Sequence, residues 1–182
     1  MTKKIESKLM NGSTPAGSTE LFARLDDLQI PYQNLEHPAV FTVEEARVLR
    51  GKMPGAHSKN LFLRDKKERH WLVSCLSHRT LDLMWLADHL GTKRLTFCSA
   101  RRLMGYLGIT RGAVSPFAVL NDLEGVVRVA LDQEMLAREP LNFHPLDNAM
   151  TATVSKDGLL TFLEAVGHVP QVVPFPDEEA SW

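Results

Sequence analysis

KNLFLRDKKERHWLVSCL, Lys59–Leu76, carries two apolar runs around a short, strongly charged centre. Each run is rich in large apolar residues and too short for a helix of ordinary length, while Lys66-Lys67-Glu68-Arg69 between them belongs in water. This pattern predicts a β-hairpin with a polar turn. The same stretch begins inside a polar entry, Gly55-Ala56-His57-Ser58-Lys59-Asn60, which places a lysine and an asparagine at the mouth of a core strand. A solvated strand end is one reading of that pair, and a ligand contact is the other.

Working outward, helical and extended segments alternate irregularly. A helix is predicted over STELFARLDDLQI, with Ser18 or Thr19 as cap and Leu21, Phe22, Leu25 and Leu28 on one face. PYQNLEH follows as a strand. TVEEARVLRG reads as a second helix, with Thr42 as cap, Glu45 closing a capping box and Gly51 as the stop. Further helices are predicted over TLDLMWLADHLG, over SARRLMGYLG between Ser99 and Gly108, and over SKDGLLTFLEAVG. Strands are expected at RLTFC, LNFHP and MTATVS, and HVPQVVPF closes the domain. SPFAVLND and GVVRVALD are expected to form a second hairpin around Leu123-Glu124-Gly125.

Hairpin-joined strands among helices favour an α+β fold with a mixed, largely antiparallel curved sheet surrounded by helices, rather than a doubly wound sheet. The chain of 182 residues is long enough for one domain with a full core. The expected boundaries are a flexible leader at 1–17, one domain over 18–174 and a tail at 175–182.

Composition narrows the classes. Apolar residues make up 44% and charged residues 24%, with a net charge of -1, so the chain is not a strongly basic nucleic-acid binder. No apolar run is long enough to span a membrane, and the N-terminus has no apolar signal core. The two cysteines, Cys75 and Cys98, lack CxxC spacing, which fits a reduced, cytoplasmic protein.

The seven histidines are scattered without HExxH or zinc spacing, so no metal site is expected. There is no GxSxG elbow, no GxxxxGK[ST] and no GxGxxG. Cys98, just before a helix cap, is a weak candidate nucleophile, and Cys75 reads as a buried structural thiol. In Gly112-Ala113-Val114-Ser115-Pro116, a GxxxP loop, glycine permits close backbone approach and proline fixes the turn. Its N–H groups could hold a carbonyl oxygen or a water, although spacing alone favours an ordinary connection. His144, before Pro145, stands at a strand end where a pocket-lining and a structural role are both open.

Four stretches in order, HPAVFTVEEA (His37–Ala46), HSKNLFLRD (His57–Asp65), GAVSPFAVLND (Gly112–Asp122) and NFHPLDNAMT (Asn142–Thr151), resemble the freestanding relatives of the prolyl-tRNA synthetase editing domain. The nearest subgroup is the alanyl-tRNA(Pro) deacylases, and the resemblance runs from about Ser18 to Pro174. It implies a metal-independent hydrolase without a cofactor that releases alanine from mischarged tRNA(Pro). A synthetase pocket built for proline rejects the smaller alanine weakly, since a missing methylene is worth only about 1–3 kcal/mol.

By this resemblance Lys59 is the essential lysine, orienting the ester through the terminal adenosine's phosphate or sugar, and Asn60 shares that positioning. Gly112 and the loop Ala113, Val114, Ser115 and Pro116 hold the substrate carbonyl and a water, and His144 lines the amino-acid pocket. Phe41 and Thr42 line the other side, beside their alternative uses in packing and capping. Arg50, Lys52, Arg101, Arg102 and Arg111 are further cations for the acceptor end. The implied partners are the aminoacylated acceptor end of tRNA(Pro) and, as a second candidate, prolyl-tRNA synthetase; no DNA and no membrane is implied. A cysteinyl-tRNA(Pro) deacylase and a non-catalytic tRNA- or synthetase-binding module are the rival readings.

Overall fold

The computed structural model describes residues 7–39, 43–51 and 53–176. Phe41, Thr42, Lys52 and the side chain of Arg50 lie outside what is described. In chain order the elements are α1 Ser18–Asp27, β1 Tyr32–Glu36, α2 Val43–Arg50, β2 Ala56–Arg64, β3 His70–Leu76, α3 Leu83–His89, β4 Thr96–Phe97 and α4 Ala100–Leu107. Two 3₁₀ segments follow, Arg111–Ala113 and Pro116–Asn121, then β5 Val127–Asp132, α5 Gln133–Leu136, β6 Leu141–Phe143, β7 Met150–Val154, α6 Lys156–Ala165 and β8 Gln171–Val173.

The hairpin predicted from Lys59–Leu76 is the centre of the fold. β2 and β3 pair antiparallel from Ser58↔Leu76 to Arg64↔His70. Alternate residues face opposite sides, and both sides are covered. Ala56, Phe62, Leu72 and Leu76 enter a main core with Leu21 and Leu25 of α1, Leu103 and Leu107 of α4, Phe117, and Phe162 of α6. Leu63, Trp71 and Val73 enter a second core with Leu86 and Ala87 of α3. All seven residues of β3 are buried, which explains its nearly continuous apolar sequence.

The sheet has eight strands in the order β1-β7-β6-β2-β3-β5-β8, with β4 attached to β2. Four pairings are antiparallel and three are parallel, so the sheet is mixed, as expected. Helix ends follow the caps: Ser99 Oγ accepts from Arg102 N, Gly108 closes α4 with φ 66°, and Ser155 Oγ accepts from Gly158 N. α1 is capped by Gly17 rather than Ser18, whose hydroxyl donates to Pro145 O at 2.6 Å.

The expected second hairpin does not form. SPFAVLND is a 3₁₀ segment, and β5 runs parallel to both β3 and β8. Ser115 Oγ accepts from Phe117 N and starts the turn, while Pro116 has no N–H to give to a ladder. Residues Pro116–Val119 are buried together, a burial that alternation along a half-exposed strand would not give.

Of the expected leader, residues 7–17 are described; most are exposed, and a few contacts tie them to the domain. Leu9 is buried, Met10 N donates to Gly105 O at 2.8 Å, and the Asn121 amide clasps both the N–H and the C=O of Ala16. No described helix is long and apolar enough to cross a membrane.

Candidate active site

A break in the sheet defines the site. β6 pairs with β2 only at Ala56 and His57, and β4 covers only Leu63 and Arg64 on the same edge. Between them, Ser58–Leu61 has no strand partner on that edge among the described residues. Peptide directions alternate along a strand. His57 O accepts from Ser77 N on the β3 side, and Phe62 O accepts from Cys98 N on the other. The backbone C=O of Ser58 and the N–H and C=O of Asn60 are therefore directed into the opening.

Gly55 makes this arrangement possible. Its φ is +95°, and a Cβ there would lie 2.0 Å from Pro140 O. Without a side chain the two backbones close, Ala56 N donates to Pro140 O at 2.8 Å, and β6 is drawn against the start of β2.

In the opening lies a cavity of about 70 Å³, lined by Ala46, Leu49, Met53, His57, Ser58, Asn60, Asn142, Phe143, His144 and Thr151. That is on the order of two liquid-water volumes, the scale of a very small side chain. Much of its wall is fixed by hydrogen bonds. Asn142 Nδ2 donates to Pro54 O and Ala56 O, and its Oδ1 accepts from the Thr153 hydroxyl at 2.7 Å. His57 Nε2 donates to Met53 O at 2.9 Å, which ties the segment after α2 to β2.

The histidine tautomers follow from their carbonyl partners, because a carbonyl can only accept. His144 Nδ1 carries the proton, 2.7 Å from Met150 O, so Nε2 is the acceptor nitrogen of the neutral ring. His37 Nδ1 likewise donates to Pro38 O, and its Nε2 is hydrogen-bonded to the Thr151 hydroxyl at 2.9 Å. The His37 and His144 rings lie 6.2 Å apart.

Asn60 Nδ2 donates to Ser58 Oγ at 3.2 Å, while its Oδ1 is buried without a partner. Ser74 stands directly opposite in register, and its Oγ is also buried without a partner. Two orphan oxygens on one face of neighbouring strands form a polar spot that is costly unless something binds there.

Lys59 and Asn60 are neighbours in sequence and point to opposite faces. Lys59 lies across from Cys75, on the face of His57, and no described carboxylate is within ion-pair distance of it. Asn60 lies on the main-core face. Asn60 lines the cavity, and Lys59 lies outside its wall.

Burial pushes the Cys75 thiol up to about 11, against the pull of the Lys59 charge. Burial raises Cys98 to about 11 as well. Both are thiols rather than thiolates at neutral pH, which removes the reason for reading Cys98 as a nucleophile. No group of three His, Cys, Asp or Glu among the described residues is placed to hold a metal ion.

The Gly112–Pro116 loop approaches from the His144 side without entering the cavity wall. A Cβ at Gly112 would lie 3.1 Å from Asn148 Nδ2, so the loop rests on the turn that follows His144. Ala113, Ser115 and Pro116 are buried and Val114 packs on the main core, which leaves the exposed Gly112 and Arg111 as the loop's outer surface. The structure thus brings Asn60 and His144 together around the cavity, leaves Lys59 next to Asn60 in the chain but on the other face of β2, and holds Gly112 on the turn that follows His144. Ser58, Asn142 and Thr151 also line the cavity. Their signal in the sequence was a polar side chain inside a strand otherwise built for a core.

A mixed sheet opened between β6 and β4, with a small polar cavity in the opening, is the frame on which comparison with known proteins bears. The model of the aminoacyl-tRNA editing domain matches residues 37–162, and the chain belongs to that family. It is 40% identical over 149 residues to the prolyl-tRNA editing protein ProX of Acetoanaerobium sticklandii, covering 81% of this chain and 91% of the relative. It is also 40% identical over 157 residues to prolyl-tRNA synthetase associated domain-containing protein 1 of Bos taurus, covering 84% and 91%. The fold resembles a crystal structure described as that of a candidate trans-editing enzyme for prolyl tRNA synthetase. The TM-score is 0.69 at 18% identity, covering 91% of this chain and 99% of that one.

Proposed function

We propose that this protein is a cytoplasmic trans-editing hydrolase that removes alanine from mischarged tRNA(Pro). The observation that carries the reading is the cavity of about 70 Å³ walled by Phe143, His144 and Thr151 beside Asn60. In this reading the small pocket takes the methyl side chain of alanine while His144 at its wall bars the pyrrolidine ring, which is the sieve that editing needs. The names of the relatives, prolyl-tRNA editing and prolyl-tRNA synthetase associated, support the choice of tRNA and of the synthetase as partner.

In this reading Lys59, a cation with no described carboxylate to neutralise it, holds a phosphate or sugar oxygen of the terminal adenosine. Asn60 orients the ester from the cavity wall, and Gly112 presents loop N–H groups to the carbonyl. Water adds to the ester carbon to give a tetrahedral oxyanion, which the backbone donors stabilise. The bond from that carbon to the ribose oxygen then breaks, the ribose oxygen takes up a proton, and alanine leaves. A neighbouring ribose hydroxyl of the substrate assists the proton transfer. No covalent enzyme intermediate and no metal is needed.

The test is deacylation of Ala-, Cys- and Pro-tRNA(Pro) by wild type and Lys59→Ala, with a chelator present. Loss of alanine alone, abolished in the variant, is the expected result. A stable alanyl ester in the presence of wild-type protein sinks the proposal. Release of cysteine in its place would then assign the other deacylase activity.

A further inference from the structure

The end of the sheet beyond β4 does not share the near-neutral balance of the whole chain. Residues 64–69 and 88–102 hold eight Lys and Arg against the three carboxylates Asp65, Glu68 and Asp88, in a protein of net charge -1. Contacts gather these two segments into one surface. The Thr92 hydroxyl donates to Asp65 Oδ2 at 2.9 Å, Arg64 pairs with Thr96, and Arg102 Nη1 lies 2.5 Å from Glu68 Oε2.

Two of the three carboxylates in this surface are already engaged, and Asp88 is exposed and outside the ion pairs of the described residues. Glu68 pairs with Arg64 and Arg102, and Asp65 pairs with Arg69. Lys66, Lys67, Lys93, Arg94 and Arg101 are exposed, and no ion pair is formed by any of them among the described residues. Phe97 stands among them on the two-residue strand β4 and is 61% exposed, far more than a core aromatic.

We infer that this surface docks the RNA strand leading to the acceptor end of the aminoacylated tRNA, with the free cations on phosphates and Phe97 as a stacking platform. The inference rests on the editing reading above and adds to it where the rest of the substrate lies. Three features favour RNA as the occupant. Unpaired cations are complementary to a polyanion. An exposed aromatic set among Lys and Arg is the pairing that single-stranded nucleic acid uses, with bases stacked and phosphates neutralised. The patch is also continuous with the site: Arg64 is four positions along β2 from Asn60, about 13 Å at strand rise, and the unpartnered edge runs from Asn60 towards the β4 pairing at Leu63 and Arg64.

The test compares wild type with Lys66→Gln/Lys67→Gln and, separately, Phe97→Ser. Affinity for uncharged tRNA(Pro) is measured by fluorescence anisotropy over a salt series, and hydrolysis is measured on the short ester 3′-O-alanyl-adenosine. The double variant is expected to bind tRNA on the order of tenfold more weakly, with a salt slope shallower by about one to two. Phe97→Ser is expected to weaken binding with the slope kept, since stacking releases no counterions. Cleavage of the short ester is expected to stay within twofold of wild type for both.

Unchanged tRNA affinity in both variants overturns the inference. Equal losses on tRNA and on the short ester also overturn it, since the damage would then lie in the site. The binding arm needs no turnover, so failure of the editing reading, seen as an intact ester with wild-type protein, is read separately.

Discussion

Replacing Gly55 by alanine tests the geometry that opens the site. Two costs are expected. The residue sits at φ +95°, where an L side chain is disfavoured by roughly 1–2 kcal/mol. The new Cβ would also meet Pro140 O at 2.0 Å, so one backbone must retreat by about an ångström or more. That retreat weakens the bond from Ala56 N to Pro140 O, worth about 1 kcal/mol, and disturbs packing by about 1–3 kcal/mol. A total of about 3–6 kcal/mol lowers the melting temperature of a domain this size by on the order of 10 °C. Gly125→Ala is the control. Gly125 has φ +64° with nothing within 4 Å of a Cβ, so it carries the conformational cost alone. The assay is thermal unfolding by circular dichroism, with deacylation measured well below the transition. Because Gly55 sets the pairing of β6 on β2, its variant is expected to lose activity even where it is folded. Melting within about 3 °C of Gly125→Ala, with activity intact, would refute the claim that this approach shapes the site.

His144→Ala is expected to enlarge the cavity and admit proline, lowering the ratio of kcat/KM for alanyl over prolyl ester by tenfold or more; an unchanged ratio in matched deacylation assays would remove His144 from the sieve. Asp65 predicts an acid limb. Burial works to raise its pKa, but hydrogen bonds from Arg69, Thr92 and Lys67 prevail and bring it from 3.8 to about 2. A folded pKa below the unfolded one gives stability that is complete above the unfolded value and is lost as pH falls from about 4 towards 2. Urea unfolding of Asp65→Asn across that window is expected to show a flatter acid limb than wild type, and parallel curves would contradict the assignment.

Local signals made much of the fold legible. Ser99, Gly108 and Ser155 mark helix ends because caps and left-handed stops are decided within a few residues. The β2–β3 hairpin is legible for the same reason. The parallel pairing of β5 with β3 and β8 is not, because it joins strands distant in sequence, and no turn residue announces it. SPFAVLND misleads because its apolar content reflects burial of a 3₁₀ segment, and its serine and proline start a turn rather than bound a strand.

The site divides in the same way. Lys59, Asn60, Gly112 and His144 could be singled out from their motifs. That Asn60 lines an opening while its neighbour Lys59 does not depends on where β6 leaves β2, a fact of register. The unpartnered Asn60 Oδ1 and Ser74 Oγ could not be seen in the sequence, since satisfaction of a hydrogen bond is a property of three-dimensional neighbours.

The interrupted edge of β2 has a consequence for solubility. A row of free N–H and C=O groups invites a strand from another molecule, and folded proteins guard such rows. Here the row is four residues long, stopped by β6 at one end and β4 at the other. An incoming strand would have to end within those four residues, too few for stable pairing or for a growing fibril. The protein can therefore keep strand backbone open to water at its site without offering a template for self-association.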